Sequence, residues 1–99
     1  MKHYYKTVIL SFADKQTAAL ADGKQVRRFA SFERIALRKL RQLEIAGRLD
    51  DLRVPPGNHL ERLKGDRAGQ MSIRISDKWR ICFNWTSAGP ENVEIVDYH

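Results

Sequence analysis

Met71-Ser72-Ile73-Arg74-Ile75-Ser76-Asp77-Lys78-Trp79-Arg80-Ile81-Cys82-Phe83-Asn84-Trp85 alternates apolar and polar residues on both sides of a polar turn. A period of two is the signature of a strand with one buried face. Matching apolar to apolar across Ser76-Asp77-Lys78 pairs Ile75 with Trp79 and Ile73 with Ile81, the geometry of a three-residue hairpin loop. A slip of one residue would turn every apolar side chain outward. Arg74 therefore faces Arg80 across the hairpin. Downstream, Val93-Glu94-Ile95-Val96 reads as a further strand, and matching across residues 86–92 pairs Phe83 with Ile95 and Trp85 with Val93. That register sets Tyr98 opposite Arg80 and makes Arg74, Arg80 and Tyr98 one row on an open polar face, with His99 at its end. Two opposed arginines repel by roughly 0.2–1 kcal/mol. A phosphate between them would relieve this, because guanidinium forks grip phosphate oxygens; splaying into water or pairing with Glu61, Asp66 or Asp97 would do so too.

Upstream, the period is helical. Lys6-Thr7-Val8-Ile9-Leu10-Ser11-Phe12 has the composition of a first strand. Asp14 then reads as the N-cap of a short helix to about Ala21, which Asp22-Gly23 ends. From Ser31 to Ala46, Phe32, Ile35, Ala36, Leu40 and Leu43 keep helical spacing, with Arg34, Arg38, Lys39 and Arg41 on the remaining surface. Gly47 stops this helix. Pro55-Pro56 in residues 49–58 excludes a helix interior or a central strand, so this stretch reads as an ordered connection. The expected fold class is α+β: an N-terminal strand and two helices packed on one face of a mainly antiparallel sheet, residues 1–99 forming a single domain.

The 99 residues are 42% apolar and 30% charged, a globular balance. The start shows neither the apolar core of a signal peptide nor a stretch long enough to span a membrane. One cysteine, Cys82, cannot form an internal disulfide, so a reducing cytoplasm is the expected location. His3, His59 and His99 lack metal-ligand spacing, and Gly65-Asp66-Arg67-Ala68-Gly69 lacks the ending of a phosphate-binding Walker loop. No cofactor is expected. Net charge is +6, but residues 86–99 carry three acidic groups and no basic one. A basic body attracts a polyanion; solubility alone, or an acidic protein partner, would also account for it. The terminal Asp97-Tyr98-His99 joins three proton-handling side chains to that body, the minimum equipment of a ribonuclease.

Several ordered blocks, Leu52-Arg53-Val54-Pro55-Pro56-Gly57-Asn58, Leu63-Lys64-Gly65-Asp66-Arg67-Ala68-Gly69, Ser72-Ile73-Arg74, Trp79-Arg80-Ile81-Cys82-Phe83 and Val96-Asp97-Tyr98-His99, resemble the HigB toxins of the RelE superfamily. The resemblance runs from about Ile9 to His99. It implies a compact RelE-like fold and a toxin of a type II toxin–antitoxin system, a ribosome-dependent, metal-independent endoribonuclease that cuts mRNA in the A site. It also implies a cognate HigA-type helix-turn-helix antitoxin, operator DNA reached only through that antitoxin, and no membrane partner. By motif, Lys64 and Arg80 fall where the family binds the scissile phosphate, and Asp97, Tyr98 and His99 where it places its terminal catalytic cluster. Arg67 and Arg74 match family positions as well and, with Arg62 and Lys78, are the candidate RNA-binding residues. Glu61 stands near where some relatives have histidine, and the start is longer than theirs. The alternative readings are a basic RNA- or ribosome-binding module without catalysis, which would tolerate loss of residues 97–99, and a purely regulatory partner.

Overall fold

The computed structural model describes residues 8–98. Asp14 caps the first helix, α1 (Lys15–Ala21), by accepting from the Thr17 backbone N–H at 3.0 Å. Gly23, at φ +89, supplies the left-handed residue that ends it. The second helix, α2 (Glu33–Ile45), begins two residues later than its apolar spacing suggests, because Arg27–Phe32 form a 3-10 turn. A three-residue period brings Phe29 and Phe32 together on Trp79, whose ring centroid lies 5.8 and 4.9 Å from theirs. Two more 3-10 turns, Leu49–Arg53 and Pro56–Asn58, make up the ordered connection around the paired prolines.

Four antiparallel strands follow in the order β1 (Glu61–Arg62), β2 (Met71–Arg74), β3 (Trp79–Thr86) and β4 (Gly89–Asp97). The β2–β3 register is the expected one, with Ile73 opposite Ile81 and Arg74 opposite Arg80. Leu20, Phe29, Leu43, Ile73, Ile81, Phe83 and Ile95 are fully or almost fully buried between helices and sheet. Each such side chain contributes about 1.5–3 kcal/mol on leaving water. Thr17, also buried, accepts the Ile95 N–H at 3.0 Å and fastens α1 to β4. The architecture is α+β, with both helices on the apolar face.

Four expectations change. The β3–β4 pairing is displaced by two residues: Ile95 lies opposite Ile81, Val96 opposite Arg80 and Asp97 opposite Trp79. The turn is tighter than the 86–92 loop, since Thr86 pairs with Gly89 and Pro90 already lies in the strand opposite Trp85. A bulge then sets Asn92 and Val93 against the single residue Phe83, with Asn92 at φ +54. A shift of two keeps each side chain on its face.

The first strand is not a full ladder. Lys6 and Thr7 lie outside the described residues; Phe12 forms one parallel bridge to Val93, flanked by Leu10 N–H to Pro90 O at 2.8 Å and Ala13 N–H to Val93 O at 2.9 Å. Ladder pairing stops there because Pro90 has no N–H and the Asn92 N–H goes to Ser11 Oγ. On α2, Ile35 is 38% exposed, while Lys39, placed on the outer surface by its charge, is 7% exposed. Finally, the polar sheet face is covered in part, for Ser72 and Cys82 are fully buried. Residues 59–70 hydrogen-bond onto it through His59 O, Arg67 and Gln70.

Candidate active site on the polar sheet face

Arg80 is the centre of this face. Antiparallel alternation points it away from the helices, and its side chain is only 12% exposed. Its Nε donates to Ser72 Oγ at 2.8 Å, and its Nη2 donates to His59 O at 2.7 Å and meets Glu61 Oε1 at 3.2 Å. The guanidinium carbon lies 5.9 Å from the centroid of the Tyr98 ring, a cation–π distance. Tyr98 is therefore diagonal to Arg80, not opposite it. Its N–H donates to Lys78 O, which ties the end of β4 to the β2–β3 turn.

Arg74 faces Arg80 and pairs with Asp77 of the same turn. The repulsion between the two arginines is thus relieved by Glu61 and Asp77, two of the chain's own carboxylates. Arg67 is engaged further along the face, donating to Gln70 Oε1 at 2.9 Å and meeting Glu94 Oε1 at 3.2 Å. Arg62, Lys64 and Lys78 have exposed side chains with no ion pair among the described residues. Asp97 is exposed at the end of β4, and His99 lies outside the described residues. Arg74, Arg80, Lys78 and Tyr98 come together at one end of the face; Arg67 belongs to the other.

Cys82 separates these ends. Burial pushes its thiol above the usual 9.0, the Glu94 carboxylate adds to this, and the Arg67 and Arg80 charges oppose it. A buried thiol held protonated is a poor nucleophile. Among the described residues no three His, Cys, Asp or Glu side chains are grouped as metal ligands. Among the described residues no helix is long and apolar enough to cross a membrane.

Sequence reasoning missed the support beneath Arg80. Asn58 is fully buried, accepts from Lys39 Nζ, and donates to Gln42 Oε1 and Leu52 O, each at 3.0 Å. Burial, Arg38 and Arg74, in that order, hold the Lys39 ammonium below its usual 10.5. A lysine among three arginines on a helix carries no signal of burial. Asn58 ends a proline-rich block, and nothing in that local pattern marks it as buried.

The α+β fold, with helices packed on one face of an antiparallel sheet, is consistent with a RelE-like toxin. The family model described as the RelE-like toxin of the type II toxin–antitoxin system HigB matches residues 10–99, and the chain belongs to that family. It is similar to Toxin HigB-1 of Vibrio cholerae serotype O1, with 37% identity over 78 residues, covering 77% of this chain and 82% of the relative. The protein is thus a toxin of a type II toxin–antitoxin system, and a cognate antitoxin is its partner.

Proposed function

We propose that this toxin is a metal-independent endoribonuclease that cleaves mRNA in the ribosomal A site and so stops translation in the cytoplasm. The observation that carries the reading is the contact between Arg80 and Tyr98. A nearly buried arginine, held on two of its nitrogens, presents its charge beside an aromatic ring in the terminal cluster. Such a pair suits RNA, for the ring can stack on a base while the cation faces the phosphate.

In this mechanism a general base of the 97–99 cluster takes the proton from a ribose 2′-hydroxyl, and the resulting alkoxide attacks the adjacent phosphorus. The bond to the 5′ oxygen breaks, and that oxygen receives a proton from the cluster. The products are a 2′,3′-cyclic phosphate and a 5′-hydroxyl. Arg80 and Lys64 stabilise the charge that develops on the phosphoryl oxygens. His99 is the natural proton carrier of the cluster, since a free imidazole titrates near neutrality, at about 6.5. Arg74 and Lys78 attract the RNA backbone around the pair, Arg62, opposite Met71 of the apolar face, adds charge at the β1 edge of the sheet, and Arg67 contributes charge already compensated by Glu94. The antitoxin is of the HigA type, carries a helix-turn-helix domain and bridges to operator DNA.

Removing Tyr98 and His99 tests this reading in a translating extract. Loss of proton transfer lowers the cleavage rate by roughly 10²–10⁴-fold while the antitoxin still binds. Undiminished cleavage by the shortened chain would refute the catalytic role of the terminal cluster, and no cleavage by the wild-type toxin would favour a pure binder.

A further inference from the structure

Arg80 depends on a carbonyl that the chain takes trouble to aim. His59 adopts a left-handed conformation, φ 44 and ψ 58, which a non-glycine residue rarely occupies. That conformation turns its C=O toward Arg80 Nη2, 2.7 Å away. The preceding residue is Asn58, whose side chain binds α2 through Lys39 and Gln42 and the 49–58 connection through Leu52 O. Its own N–H donates to Pro55 O at 2.9 Å, and the His59 N–H donates to Pro56 O at 3.0 Å. One covalent step separates this buried knot from the acceptor that holds the arginine.

The choice of lysine is informative. A buried ammonium is costly, and an apolar side chain at position 39 would join the neighbouring core residues Ala36, Leu40 and Leu43 without that cost. What an apolar side chain lacks is a donor for Asn58 Oδ1. Without that donor the asparagine is free to turn, and its grip on Leu52 O and Gln42 loosens.

We propose that Lys39 and Asn58 are positioning residues for Arg80: they lock the left-handed His59 whose carbonyl orients the guanidinium toward the scissile phosphate. The inference rests on the ribonuclease reading above. Neither residue touches RNA. Their effect travels from α2 through Asn58 and the His59 peptide to the arginine, and it concerns turnover, not substrate capture.

Three full-length variants test this in a reconstituted translation reaction with a defined mRNA, each checked for folding by circular dichroism and antitoxin binding. Lys39→Met lowers kcat roughly tenfold or more with KM within about twofold. Lys39→Gln, which keeps an N–H donor without charge, restores most of the lost turnover. Asn58→Ser takes the place of Lys39→Met if the latter does not fold. A merely structural role is separated in two ways. The Arg80 Nε–Hε resonance of the isolated toxin moves in Lys39→Met and returns in Lys39→Gln, and in an Arg80→Lys background Lys39→Met has little further effect on kcat. A folded Lys39→Met with wild-type kcat and an unmoved Arg80 resonance overturns the positioning role, while the ribonuclease reading stands if Arg80→Ala has lost cleavage. Wild-type cleavage by folded Arg80→Ala removes both.

Discussion

Two arginines on the same sheet face serve different ends, and their partners show why. Arg67 is closed into a network: Glu94 balances its charge, Gln70 takes a second nitrogen, and both partners are themselves part-buried. Arg80 is held as firmly, yet two of its three acceptors are neutral, Ser72 Oγ and His59 O. Its one carboxylate, Glu61, is 56% exposed, so water screens that pair and an arriving phosphate competes with it on good terms. Neutral acceptors fix a cation's geometry without cancelling its charge. A staple needs the opposite, a partner that cancels it.

The largest expected difference between these two ends is catalytic. Arg80→Ala lowers mRNA cleavage by roughly 10²–10³-fold, whereas Arg67→Ala leaves kcat within about twofold; equal losses in single-turnover assays would erase the distinction. Arg80→Ala also strands the acceptors Ser72 Oγ and His59 O, a cost of about 1–3 kcal/mol that urea unfolding measures. Arg67→Ala removes a part-exposed pair worth about 1 kcal/mol or less.

A smaller effect is expected from Lys64, exposed and without an ion pair among the described residues. Lys64→Ala removes part of the charge stabilisation as well as a phosphate contact, so kcat/KM falls and its dependence on salt becomes shallower, by a slope of about 1 for one lost contact. An unchanged salt slope would take Lys64 out of the RNA-binding surface.

The smallest effect concerns pH. Burial lowers the Lys39 pKa in the folded chain, so between that value and 10.5 the unfolded chain binds more protons and stability rises with pH. Below the folded value both states are protonated, and the full desolvation cost is borne. The unfolding free energy of wild type minus that of Lys39→Met should therefore climb as pH approaches 10.5. Parallel pH curves for the two proteins would show that Lys39 pays no such cost.

How much of this was legible in the sequence differs between the two hairpins. Alternation in residues 71–85 and a three-residue turn leave one register that keeps both faces intact, and Arg74 opposite Arg80 follows from it. The second hairpin has the same alternation, but Gly89-Pro90 reads as loop although Thr86 and Gly89 already close the turn, with Thr86 Oγ1 donating to Gly89 O at 2.7 Å. The bulge at Asn92 and Val93 has no marker except an asparagine able to take positive φ. Because the total displacement is even, Tyr98 stays on the face of Arg80, and the candidate pair survives a wrong register. The partners of Arg80 were less accessible. Glu61 is one of the carboxylates the sequence offers, but a backbone carbonyl at His59 and a buried Lys39–Asn58 bond depend on tertiary packing that no local pattern records.

Mapping the ends left on a defined mRNA in a reconstituted translation reaction tests the central claim most directly. With wild-type toxin, cleavage is expected only on ribosome-bound message, leaving a 2′,3′-cyclic phosphate and a 5′-hydroxyl, and is expected to fail with Arg80→Ala that still binds antitoxin. Intact message with the wild-type toxin, or cleavage unaffected by loss of Arg80, would contradict it.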